Sequence, residues 1–68
     1  MSLDKLYHLK NLNLSYKKIT ILPKQVGQLV HLQGLYLNNN QLTTLPSQMG
    51  QLVNLKRLYL NDNQLINE

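Results

Sequence analysis

One spacing constrains this chain more than anything else in it: shifted by 23 residues, the sequence falls on itself. Residues 9–31 match residues 32–54 at 11 of 23 positions, and 32–45 match 55–68 at 8 of 14. Leu9, Leu12 and Leu14 return as Leu32, Leu35 and Leu37, then as Leu55, Leu58 and Leu60. Ile19, Leu42 and Leu65 form a fourth column. Leu22-Pro23 returns as Leu45-Pro46, and Gly27-Gln28-Leu29-Val30 as Gly50-Gln51-Leu52-Val53. A fixed period of this length means that each unit is one supersecondary winding, which buries its apolar face only by stacking on the next.

Within each winding, L-x-L places two leucines on one side of a strand, because side chains alternate along extended backbone. Strands are predicted near 11–15, 34–38 and 57–61, paired in parallel with their leucines inward. The stretches 24–30 and 47–53 have irregular apolar spacing with a central glycine, which suits a short helical turn on the outer side. Pro23 and Pro46 fit the start of that turn, where a missing N–H costs nothing. Asn40 and Asn63 follow the strands, at the bend where backbone groups lose their partners. A buried amide there both donates and accepts, so the two are predicted to form a structural ladder. The first winding has Lys17 at that position, and its bend is expected to be looser or more exposed.

The segment Leu32-Gln33-Gly34-Leu35-Tyr36-Leu37-Asn38-Asn39-Asn40-Gln41-Leu42 resembles the leucine-rich repeat pattern L-x-x-L-x-L-x-x-N-x-L. With its Leu-Pro step and Gly-Gln-Leu turn, the chain is similar to a bacterial subfamily of 23-residue repeats. The resemblance implies an α/β solenoid: a curved right-handed coil, parallel strands on the concave face, short helical turns on the convex face, about 2.5–3 coils. One domain over 1–68 is expected, with a capping turn at 2–8 (Ser2 as cap, Asp4 at its positive end, Leu3, Leu6 and Tyr7 over the first leucine layer). Repeats follow at 9–31, 32–54 and 55–68, the last incomplete. The resemblance also implies a non-catalytic role in binding another protein through the concave face, including a host protein for a bacterial member.

If the leucines point inward, the residues between them form the working face. These are Asn11, Asn13 and Ser15, then Gly34, Tyr36 and Asn38, then Arg57, Tyr59 and Asn61. Tyr16, Asn39 and Asp62 lie at the rim. Candidate binding residues are therefore Asn13, Tyr36, Asn38, Arg57, Tyr59, Asn61 and Asp62. Tyr and Arg are the residue types that most often anchor interfaces. Tyr36 and Tyr59, side by side in one column, equally suit a cross-strand contact that merely stabilises the sheet. Three strands expose a few hundred Å² at most, against ~800 Å² per partner in a standard interface, so a lone copy is expected to bind weakly.

Several chemistries have no foothold here. The chain has no Cys, which removes disulfides, thiolate metal sites and cysteine nucleophiles. Neither a nucleophile elbow nor a phosphate loop occurs, and no enzyme or cofactor is expected. His8 and His31 are 23 apart and share a column, which makes them a weak candidate pair for a metal; no third ligand is evident there. Asn13-Leu14-Ser15 matches a glycosylation sequon on a predicted strand and reads as coincidence. The balance of seven Lys and Arg against three Asp and Glu admits nucleic acid as a rival partner, but the lysines are scattered and the strand face holds only Arg57. No apolar leader follows Met1 and no run approaches the ~20 residues of a membrane span. The chain as given reads as soluble and cytoplasmic, with a secreted or surface-exposed setting allowed by the resemblance. Leu58 and Leu60 lie in a last strand with an unpaired edge, which leaves two explanations: the chain is a fragment of a longer array, or it closes the gap by self-association into a homo-oligomer, the alternative activity.

Overall fold

A computed structural model describes residues 6–66. Three short strands, β1 (Asn11–Asn13), β2 (Gly34–Tyr36) and β3 (Arg57–Tyr59), form one parallel sheet in the order β1-β2-β3. The register keeps the 23-residue period: Asn11 pairs with Gly34 and Gly34 with Arg57, Leu12 with Leu35 and Leu35 with Leu58. The strands end two residues earlier than the alternation predicts, although cross-strand bonding continues beyond them. Leu14 N–H donates to Tyr36 C=O and Tyr16 N–H to Asn38 C=O; Leu37 and Asn39 repeat the pattern onto Tyr59 and Asn61. What breaks the extended conformation is a left-handed residue in every winding, Tyr16 (φ 58°), Asn39 (φ 59°) and Asp62 (φ 60°). Asn and Asp tolerate that region best, and two of the three positions carry them.

The outer turns are 3-10 helices, Lys24–Gln28 and Ser47–Gln51, each preceded by its proline as expected. Their bonds run from residue i+3 to i, as in Val26 N–H to Pro23 C=O and Leu29 N–H to Val26 C=O. This tighter winding is the helical component of the fold, and no α-helix occurs among the described residues. The predicted capping helix at Ser2 and Asp4 lies outside them.

Between sheet and turns lies one apolar core: Leu22, Val26, Leu29, Leu32, Leu35, Leu37, Leu42 and Leu52. It is centred on the second winding, which has a neighbour on both sides. Equivalent leucines in the outer windings, such as Leu12, Leu14, Leu55 and Leu60, are only partly buried. At the first-winding end the core keeps an apolar recess of about 190 Å³, lined by Leu6, Leu12, Leu14, Leu22, Pro23, Val26 and Leu29. Leu6 thus meets the first leucine layer as expected. Tyr7 instead turns its ring to two imidazoles outside the core.

Candidate functional site: the strand face

The two ladder asparagines make the bends that position this face. Asn40 Oδ1 accepts from the N–H groups of Lys17 and Ile19, each at 3.0 Å, while its Nδ2 donates to the carbonyls of Leu14 and Leu37, each at 2.9 Å. Asn63 works one winding later, accepting from Leu42 N–H at 3.0 Å and donating to the carbonyls of Leu37 at 2.9 Å and Leu60 at 3.0 Å. Each amide therefore stitches its own winding to the one before it. That direction explains why the first winding functions with Lys17: its bend is bonded by Asn40, the asparagine of the next winding. The bend is nevertheless different, as expected, because Lys17 is exposed and Lys18 adds a second left-handed residue (φ 57°).

On the face itself, Tyr36 and Tyr59 meet edge to face, with ring centroids 5.0 Å apart and planes at 85°. This is the geometry that the ring quadrupoles favour. Arg57 lies beside them, its Nε donating to the Tyr36 hydroxyl at 3.1 Å. Its Nη2 reaches over β2 and donates to Asn11 Oδ1 on β1, also at 3.1 Å. Gly34 makes this crossing possible. A Cβ there would stand 2.5 Å from Asn11 Oδ1 and 2.8 Å from the Tyr36 hydroxyl. The hydrogen bond that Arg57 donates to Tyr36, and then the electrostatic influence of Tyr36 and Tyr59, push the Arg57 guanidinium pKa above its ordinary value. It is a permanent cation whose bonds go to neutral oxygens.

The other candidates are less free. Asn13 folds its Oδ1 back onto the N–H and hydroxyl of Ser15. Asn38 donates to Asn39 Oδ1 at 2.8 Å. At the rim, Asp62 Oδ2 accepts from Asn61 at 2.9 Å and from Asn39 at 3.4 Å. The face thus divides into an Arg-Tyr-Tyr cluster near the strand starts and an amide-carboxylate cluster near their ends. Sequence reasoning missed the left-handed column and the participation of Asn11. The adjoining Asn39-Asn40 and Asp62-Asn63 pairs were a signal for the first; nothing in the sequence marked the second.

His8 and His31 do share a column on the outer side, with ring centroids 6.1 Å apart and planes at 25°. Tyr7 places its ring edge-on to both, at 5.3 and 5.2 Å. The third member of the column, Asn54, donates to the carbonyl of Val30 at 2.9 Å. No group of three or more His, Cys, Asp or Glu side chains that could hold a metal ion occurs among the described residues. Among the described residues no helix is long and apolar enough to cross a membrane.

Against known proteins, the family model described as a leucine-rich repeat region matches residues 1–67. A solved leucine-rich repeat protein of Leptospira interrogans is similar over 90% of this chain, at 48% identity and a TM-score of 0.87. The chain spans 16% of that protein's length. No curated protein matches.

Proposed function

This chain belongs to the leucine-rich repeat family, and on that premise we propose that it is a non-catalytic module that binds another protein through its strand face. One observation supports this above the rest: Arg57, Tyr36, Tyr59 and Asn11 form a bonded cluster on the exposed side of the sheet, drawing on all three strands. Rigid aromatics and a guanidinium with fixed orientation lose little freedom on binding, which is the property of interface anchors. The family favours interaction over catalysis; the match to a bacterial relative supports a bacterial origin, and a host protein as the partner is proposed on the family resemblance alone.

A photo-cross-linking residue at position 59 tests this reading in extract of the source organism and of candidate host cells. Discrete adducts from position 59, with none from exposed Val53 beyond the second outer turn, support it. Equal labelling from both positions overturns it.

A second reading, self-association as the whole activity, is favoured by the third winding. Leu58 and Leu65 are each 38% exposed, where Leu35 and Leu42, their equivalents, are fully buried. Ile66 is exposed as well. A second copy covering these residues would supply the neighbour that the second winding already has, giving a homo-oligomer. Light scattering at micromolar concentration tests it: a stably folded 7.9 kDa monomer overturns it, and a Leu58→Lys chain should lose any assembly.

A further inference from the structure

The strand face is electrically lopsided. At the strand starts Arg57 is the cation of the face, and Lys10 and Lys56, both exposed, directly precede Asn11 and Arg57 in the chain. At the far end stands Asp62, the only carboxylate side chain in residues 6–66. From Arg57 to Asn61 extended backbone covers ~13 Å, so Arg57 and Asp62 stand at opposite ends of the third winding's strand stretch. Asp62 is held by two amides, and the Arg57 contacts are a phenol and an amide oxygen. Among the described residues those two bonds use two of the five guanidinium N–H groups of Arg57, an exposed residue beside the Tyr36-Tyr59 edge-to-face pair.

Resting on the protein-binding reading above, we propose that the partner segment is acidic, placing an Asp or Glu carboxylate on Arg57 with an aromatic or apolar side chain against Tyr36 and Tyr59. The guanidinium fork matches a carboxylate in shape as well as charge, and it is already oriented by Asn11 and Tyr36, so little ordering remains at the moment of binding. The tyrosine pair supplies the apolar contact that a charge alone lacks. Gly34 is part of the recognition, since its missing side chain is what lets the fork lie flat across β2.

Three probes decide the matter by NMR titration of the full chain: acetyl-Glu-Tyr-Glu-Tyr-Glu-amide, its Gln-for-Glu counterpart, and a six-nucleotide single-stranded DNA. The Glu peptide should shift the Arg57 Nε–H and the rings of Tyr36 and Tyr59, and should saturate at a concentration at least about tenfold below that of the Gln peptide. The tenfold preference should vanish in Arg57→Gln and survive in part in Arg57→Lys, both checked for native fold by circular dichroism. Equal binding of the two peptides overturns the acidic class while leaving protein binding standing. No shift at these residues with either peptide overturns both. A preference that persists in Arg57→Gln removes Arg57 from the role, and DNA binding tighter than the Glu peptide reassigns the cation to phosphate.

Discussion

Arg57 Nη2 and Asn11 Oδ1 are 3.1 Å apart, although 46 residues and a whole intervening strand separate them. The contact ties the third winding directly to the first. It exists because the residue between them in the register is Gly34.

Replacing Gly34 with Ala tests that dependence. The three atoms nearest the new Cβ all belong to the side chains of Asn11 and Tyr36, which can swing away. The fold should survive with a loss of no more than about 1 kcal/mol. The Arg57–Asn11 bond should not, and the Arg57 Nε–H resonance should move toward its solvated position.

Gly27 and Gly50 occupy the same place in successive outer turns and should respond oppositely. A Cβ on Gly27 would lie 2.6 Å from the backbone carbonyl oxygen of Gln48 in the next turn, whereas one on Gly50 meets nothing within 4 Å. Gly27→Ala is expected to cost about 1–3 kcal/mol, since backbone has to move. Gly50→Ala should be neutral or stabilising by up to about 1 kcal/mol, through loss of freedom in the unfolded chain. Thermal denaturation reads both, at roughly 4–8 °C per kcal/mol for a domain of this size.

Leu35→Ala and Leu58→Ala compare the same column in two settings. Leu35 is fully buried and Leu58 is 38% exposed. The first should cost about 2–5 kcal/mol and the second less than half of that. Equal losses in urea unfolding would show that Leu58 is covered in solution, in favour of self-association.

Asn40→Ala removes the acceptor for Lys17 and Ile19 N–H and a donor to Leu14 C=O. A loss of about 2–4 kcal/mol is expected, because buried groups left without partners carry their full desolvation cost. Asn63 is half-buried, and the Leu37 carbonyl it serves also accepts from Asn40. Asn63→Ala should therefore cost roughly 1–2 kcal/mol. Both are measurable by urea unfolding.

Binding of an acidic probe should be flat through neutral pH and fall away only as its own carboxylates protonate, near pH ~4.3 for Glu. An arginine keeps its proton across that whole range, and the bond to the Tyr36 hydroxyl only raises the Arg57 pKa above its ordinary value. A midpoint near neutrality in the titration would speak against a carboxylate seated on Arg57.

Periodic residues were the legible part of this molecule. A leucine at every 23rd position needs the same inward environment in each winding, so the strands, the outer turns, the proline starts and the asparagine ladder all followed from the one-dimensional pattern. Where the pattern lapses, at Lys17, it foretold a different bend, though not that Asn40 would reach back to bond it.

What the stack decided is whatever differs between windings that read alike. Leu35 and Leu58 share a motif, as do Gly27 and Gly50, yet one of each pair is enclosed and the other is not. The cluster on the face depends on which side chains stand next to one another two windings apart, and on the gap left by a single glycine between them. A repeat states what each winding contains; only its packed neighbours determine how much of it water can reach.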